Sequence, residues 1–171
     1  LLETTIADPN LSHELLFVAF NAARMAFYDL ADKAAAKIPS DDQQYYAAGI
    51  FRVSLALSRG RQTQAMKLLQ QLQSSIKPDD RQEFEIAQYY EKMGQFETAI
   101  ERYRQIYDRT GAMDVLMRVA WLCEKNNDFE RAYDIWLKLW QDCRQEALLR
   151  QIQPRLFEIA SRTSRLAELA V

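Results

Sequence analysis

Glycine, proline, histidine and cysteine are scarce in this 171-residue chain, and each shortage excludes a class of site. The chain has four glycines, four prolines, two cysteines and one histidine. Four scattered glycines cannot form a phosphate-binding loop, and no CxxC pair or Cys/His cluster indicates a metal site. The single histidine, His13, has no second histidine and no nearby cysteine as a partner, and the local sequence does not arrange a serine for catalysis with it. We therefore predict no enzymatic activity, no cofactor and no bound metal.

The chain also lacks basic runs and long apolar runs. Its 22 basic and 24 acidic residues nearly cancel, giving a net charge of −2. Without a basic run, a zinc-finger spacing or an RNA-binding signature, nothing points to a nucleic-acid partner. No apolar run approaches the ~20 residues of a membrane span. Because residue 1 is Leu rather than Met, we expect a segment of a longer protein, and the compartment, cytoplasmic or periplasmic, stays open.

The two cysteines are far apart in the sequence and carry no motif. Cys123 and Cys143 fall among apolar residues at helical spacing. Free cysteine is among the most frequently buried residue types and behaves as a small apolar group. We interpret both as core residues, and they do not settle the redox compartment.

A repeat with a nearly constant period runs through almost the whole chain. The stretch AQYYEKMGQFETAIERYRQIY, residues 87–107, has apolar residues at helical spacing on both sides of Gly94, which predicts two amphipathic helices joined by a tight turn. One small residue of its second helix recurs along the chain at intervals of about 34 residues. These markers are Ala31, Ala65, Ala99, Ala132 and, in place of alanine, Leu166.

The period and the small-residue pattern resemble those of the tetratricopeptide repeat, which pairs two helices in roughly 34 residues. The resemblance implies an all-α, right-handed superhelical solenoid of antiparallel helix pairs, forming one domain. The predicted divisions are the tail of a preceding repeat at 1–11, full repeats at 12–45, 46–79, 80–112 and 113–146, and a partial fifth repeat at 147–171.

Turn and capping residues fix the predicted helix ends. Asp8-Pro9-Asn10 indicates the turn before repeat 1, with Ser12 as the N-cap of its first helix. Gly60 and Asn127 suit the internal turns of repeats 2 and 4 because both residue types tolerate positive φ. Pro154 falls inside the first helix of repeat 5, so that helix either kinks there or begins anew.

The resemblance implies a protein–protein interaction scaffold that binds a partner polypeptide in a concave groove lined by the first helix of each repeat. A spacing of i, i+4 and i+7 along those helices gives the predicted groove residues, with Trp121 and Phe84 as the main anchors. They are Leu16, Phe20, Ile50, Leu57, Phe84, Gln88, Glu91, Met117, Trp121 and Glu124. The stripe is apolar at its N-terminal end and acidic at Glu91 and Glu124. It lacks the lysine and asparagine that would bind acidic tails.

Three alternatives stay open. In the first, the groove side chains serve only to pack neighbouring first helices. In the second, the repeats are a docking or regulatory arm of a larger enzyme or export machine, for example a periplasmic scaffold for exopolysaccharide export. In the third, the groove senses a small ligand. Apolar residues at both ends, Leu1, Leu2, Leu166, Leu169 and Val171, also predict end-to-end contacts between copies at high concentration.

Overall fold

Helices make up nearly all of the chain, which the computed structural model describes from residue 9 to residue 170. No β-strand occurs within these residues. The contacts divide the chain into two units, residues 1–78 and residues 79–171. Leu1, Leu2 and Val171, three of the predicted end residues, lie outside the described residues.

The first unit contains two helical hairpins. Its helices are α1 (Pro9–Arg24), α2 (Tyr28–Ala35), α3 (Tyr45–Ser58) and α4 (Gln62–Ser75). Each helix packs against the next one along the chain. Because only three residues separate the helices of each hairpin, the two run antiparallel.

The first described residues of α1 differ from the sequence prediction. Pro9 and Asn10, predicted to form the turn before the first helix, already lie within α1. Ser12 is therefore inside the helix, where it is buried, and is not the N-cap. A hydrogen bond from Ser12, together with the 2.7 Å bond from the Gln44 backbone N–H, lowers the pKa of the Asp42 carboxyl.

The second unit continues the same pattern. It contains α5 (Asp80–Lys92), α6 (Phe96–Thr110), α7 (Met113–Lys125), α8 (Phe129–Asp142), α9 (Glu146–Arg162) and a 3₁₀ helix (Leu166–Ala170). Each again contacts its successor. Asp79 caps α5 through a capping box with Gln82. Helix α9 is continuous through Pro154, so no new helix begins there.

One turn recurs in the middle of every helix pair. The second of the three linking residues has a left-handed conformation with φ between 59° and 72°, and the next backbone N–H bonds back to a carbonyl five residues earlier at 2.8–2.9 Å. Both features define a Schellman-type helix end. The left-handed residues are Ala26, Gly60, Gly94, Asn127 and Ser164. This turn is the structural unit that repeats.

The turns correct the predicted register of the last repeat. In each of the first four pairs the marker alanine follows the left-handed residue by five positions, and all four marker alanines are completely buried. The interval from Asn127 to Ser164 is longer than the earlier ones because α9 has 17 residues where α7 has 13. The position equivalent to the marker is therefore Leu169, whereas Leu166 is exposed.

The cores of both units are apolar and include both cysteines. In the first unit Phe51 packs against two clusters of buried residues from α1, α2 and α3. In the second unit Trp136, Tyr103 and Tyr133 are the largest fully buried side chains. Cys123 and Cys143 are buried and unpaired, as predicted, and burial raises the pKa of the Cys123 thiol to about 11. None of the helices in the described part of the chain is long and apolar enough to cross a membrane.

Candidate functional site

A cavity of about 390 Å³ opens along α7 in the second unit. One lining residue, Glu91, comes from α5, and all the others lie along one side of α7. The lining residues are Glu91, Asp114, Met117, Arg118, Trp121, Leu122 and Lys125. Three of them, Glu91, Met117 and Trp121, are predicted groove residues.

Trp121 is the aromatic side chain of this cavity, and it remains 42% exposed. The Arg155 guanidinium of α9 lies over the indole ring, with its carbon 4.3 Å from the ring centroid. Arg155 is itself held by Glu158 at 3.1 Å and Glu124 at 3.8 Å. The indole is therefore supported by a guanidinium that two carboxylates fix in place, which prepares it as a rigid contact surface.

Glu91 forms the charged wall of the cavity. Its side chain is only 11% exposed, and it accepts hydrogen bonds from Arg118 at 2.9 Å and Lys125 at 3.3 Å. Both cations come from α7, so these bonds join α5 to α7 across the cavity. A nearly buried carboxylate needs such partners because an uncompensated buried charge is costly.

Glu124 has a different environment, although it is the counterpart of Glu91 in the next repeat. It accepts a 2.6 Å hydrogen bond from the indole Nε1–H of Trp136, which is fully buried. The residue equivalent to Trp136 in the previous repeat is Tyr103, whose buried hydroxyl lies close to Arg118. Burial raises the pKa of Tyr103 to about 12, against the opposing charge of Arg118.

The remaining predicted groove residues do not line this cavity. Phe84 is half-buried and packs edge-to-face on Tyr103, with ring centroids 5.1 Å apart, which is a core contact. Gln88 is half-buried. In the first unit Leu16 is buried, Ile50 and Leu57 are half-buried, and the exposed Phe20 packs edge-to-face on Phe51 at 4.7 Å. Of the two predicted anchors, Trp121 is the one exposed beside a cavity.

Sequence reasoning missed four lining residues. Asp114, Arg118, Leu122 and Lys125 lie on α7 beside the predicted stripe. The prediction starts from Met117 and follows i+4 and i+7, whereas the cavity follows Asp114, Arg118, Trp121 and Lys125, at i, i+4, i+7 and i+11. Sequence reasoning favours the stripe that begins at Met117, because two of its three residues are apolar. The set that begins at Asp114 has mixed charges, which are typical of a solvated face.

The first unit exposes an unusually apolar surface on α1 and α2. It surrounds a cavity of about 550 Å³ lined by Phe17, Val18, Asn21, Ala22, Met25, Phe27 and Leu30. Phe17 is 67% exposed and Met25 64% exposed, and no charged residue lines the cavity. Contiguous exposed apolar patches are uncommon on the surfaces of monomeric proteins.

Comparison with solved structures places the fold among tetratricopeptide-repeat proteins. A tetratricopeptide repeat protein from Parabacteroides merdae superposes with a TM-score of 0.66 at 12% identity, covering 91% of this chain and 62% of its own. YrrB, described as a TPR protein with an unusual peptide-binding site, superposes with a TM-score of 0.61 at 7% identity, covering 91% of this chain and 79% of its own. MamA superposes with a TM-score of 0.63 at 8% identity, covering 94% of this chain and 87% of its own.

These similarities confirm the predicted fold class, the all-α solenoid type of the tetratricopeptide repeat. The chain spans about 62% of the length of the Parabacteroides protein. No family model matches the sequence. No curated protein sequence matches it either.

Proposed function

We propose that this protein is a non-enzymatic interaction scaffold and that the cavity on α7 is where it binds a partner polypeptide. The observation that carries the proposal is Trp121, an exposed indole fixed by Arg155 at the edge of a 390 Å³ cavity. Tryptophan is among the residues that contribute most to binding energy at protein interfaces. A ring that is already held in place loses little conformational freedom on binding.

The composition of the cavity favours a peptide over a small polar substrate. Met117, Trp121 and Leu122 supply apolar surface, while Glu91, Arg118 and Lys125 satisfy one another. Of the charged lining groups that could act as acid or base, all but Asp114 are therefore already engaged in ion pairs, and a lone exposed carboxylate has no second group to act with. The fold is one in which helix pairs present extended surfaces to other chains, and YrrB, one of the similar structures, carries a peptide-binding site.

Selection of ligands followed by titration of variants tests this proposal. Peptides are selected from a random display library on the wild-type protein, and their affinities are measured by calorimetry. We expect Trp121→Ala to weaken binding of the selected peptides about tenfold or more, because truncation of an interface hot spot typically costs about 2 kcal/mol. Binding within twofold of wild type in a variant that keeps its thermal unfolding midpoint contradicts the proposal.

Trp140 provides the matched control. It is a tryptophan of α8 with 36% exposure and does not line the cavity. Trp140→Ala removes the same side chain from another surface of the same unit. We expect this variant to bind the selected peptides as the wild type does.

We propose in addition that the apolar surface of α1 and α2 forms a weak contact between two copies of this chain. Five of its side chains, Phe17, Val18, Met25, Phe27 and Leu30, are each about half exposed or more. At about 100 Å² each, two copies would bury on the order of 1,000 Å², near the lower limit for a specific interface. A surface without charges can face its own copy without repulsion between like charges.

Sedimentation velocity between 10 μM and 1 mM protein, as probe concentrations, tests the self-association. We expect reversible dimers whose fraction rises with concentration and falls sharply in Phe17→Ser/Phe27→Ser, two exposed positions. Phe157→Ser, an equally apolar change at an exposed site of α9, is the control and should dimerise as the wild type does. A wild-type protein that stays monomeric at the highest concentration refutes a second copy as the occupant.

A further inference from the structure

Asp114 carries the one unpaired charge among the residues that line the α7 cavity. It is exposed in the first turn of α7 and makes no hydrogen bond or ion pair with any residue in the described part of the chain. The other charged lining residues are already paired, because Arg118 and Lys125 both bind Glu91, and these three side chains together carry one net positive charge. The lining as a whole is therefore close to neutral, and an incoming ligand meets in Asp114 the one carboxylate of the lining that is not already in an ion pair.

The absence of a partner for Asp114 has a specific cause. Arg118 follows it by four residues on the same helix, and an aspartate–arginine pair at this spacing normally forms an ion pair. Instead the Arg118 guanidinium turns to α5, where its Nε and Nη2 both approach one oxygen of Glu91, at 2.9 Å and 2.8 Å. The ion pair that joins α5 to α7 thus leaves Asp114 open.

We infer that the α7 cavity selects a polypeptide segment that carries an arginine or lysine about 10 Å from an apolar side chain, the basic residue facing Asp114 and the apolar one facing Trp121. The inference rests on the proposed peptide-binding function of the cavity. Asp114 and Trp121 are seven residues, about two turns, apart on one face of α7, which corresponds to about 10.5 Å along the helix.

For an extended ligand, this distance sets the spacing of its two contact residues. A polyproline-type extended chain has three residues per turn and rises about 3.1 Å per residue, so residues i and i+3 point the same way about 9.3 Å apart. Met117 lies between the two contact points and offers an apolar surface to the intervening residues. An extended ligand is therefore a basic residue, two spacer residues and an apolar residue, a spacing that short peptides can test.

Peptides of defined sequence test the inference directly. The probes are acetylated and amidated hexapeptides of serine and proline with one Leu and, three residues away, either Arg or Glu. Binding to the ¹⁵N-labelled full chain is followed by NMR titration at about 50 mM salt. We expect the Arg peptide to bind five- to tenfold more tightly than the Glu peptide, because one ion pair is gained in the first and a repulsion in the second. This preference should shrink at 500 mM salt through screening.

Asp114→Asn isolates the charge, since it keeps the size of the side chain at an exposed position. We expect it to reduce the preference for Arg over Glu to less than twofold while Leu still binds at Trp121. Asp142→Asn makes the same charge change at an exposed site of α8 outside the cavity, and this control should keep the full preference. An Arg peptide whose Leu is placed at the adjacent residue should bind more weakly than the spaced one.

The outcomes separate this inference from the proposed function. If the peptides bind through Trp121 but Arg and Glu versions are equal, or Asp114→Asn keeps the preference, the inference is wrong and the peptide-binding function stands. Two results contradict both the inference and the proposed function of the α7 cavity. One is peptide binding that does not depend on Trp121. The other is that no hexapeptide binds at millimolar concentration while library peptides bind outside the cavity.

Discussion

Ala99→Glu should destabilise the protein by about 3–5 kcal/mol, a large part of the stability of a domain of this size. Ala99 is completely buried on α6, and it is the marker residue of the third helix pair. The substitution adds volume to a packed site and places a carboxyl where no counter-charge is arranged. Urea unfolding followed by circular dichroism should show a lower midpoint, or a variant that no longer folds.

The pH dependence of this variant identifies the cause. A buried carboxyl without a partner has a folded-state pKa above its unfolded value. Its penalty is therefore smallest below the unfolded pKa and grows as pH rises through the folded pKa. Relative to wild type at the same pH, the loss of stability should be smaller at pH 5 than at pH 8. Gln105→Glu, on an exposed position of α6, is the control and should change stability by less than about 0.5 kcal/mol. An unchanged midpoint for Ala99→Glu would refute close packing at the marker.

Trp136→Ala should cost a similar amount, about 3–5 kcal/mol, for a different reason. Trp136 is the largest fully buried side chain, and its indole N–H donates the 2.6 Å hydrogen bond to Glu124. Removing the ring leaves a cavity in the core beside α8. It also removes a hydrogen-bond donor from the Glu124 carboxylate, whose side chain is only 13% exposed. The free energy of unfolding from urea titration measures the combined loss.

Two further variants divide that loss into its parts. Trp136→Phe keeps an aromatic ring but removes the donor, so its smaller destabilisation reports chiefly the hydrogen bond to Glu124. Trp140→Ala removes a tryptophan from the same helix at a position that is 36% exposed, and it should cost clearly less than Trp136→Ala. Equal losses for Trp136→Ala and Trp140→Ala would contradict the assigned core role of Trp136.

The helix pairs are predictable from sequence because the packing rule that creates them also leaves a period. A small residue is needed where helices pack closely, and a left-handed residue is needed five positions earlier, so Ala65 follows Gly60 and Ala99 follows Gly94. Both signals survive in a single sequence. The resemblance to the tetratricopeptide repeat rests on them, and the solved structures confirm it at the level of fold.

The register predicted for the last repeat is wrong because its turn residue gives little signal. Ser164 has a left-handed conformation that serine rarely adopts, so the sequence does not mark it as Gly60 or Gly94 is marked. Counting one more repeat period from Ala132 therefore leads to Leu166 and misses the longer α9. At the other end, the sequence predicts a turn at Pro9 and an N-cap at Ser12, whereas both residues lie within α1.

The site is harder to predict because it depends on contacts between repeats. The sequence places Glu91 and Arg118 on different helices and does not show that they bind each other. It also does not show that Arg155 covers Trp121, or that Phe84 packs on Tyr103 and is therefore a poor anchor. Such pairings join residues of different helices and depend on side-chain direction as well as helical spacing.

The most direct measurement of the central claim uses the three tryptophans as reporters at three known places. In a ¹H–¹⁵N spectrum the indole N–H groups of Trp121, Trp136 and Trp140 give one signal each, assigned by the single substitutions described above. During titration with a library-selected peptide, the account predicts that the Trp121 signal shifts progressively to saturation while the exposed Trp140 signal keeps its position. Saturable binding that leaves the Trp121 signal unmoved would contradict the assignment of the α7 cavity as the binding site.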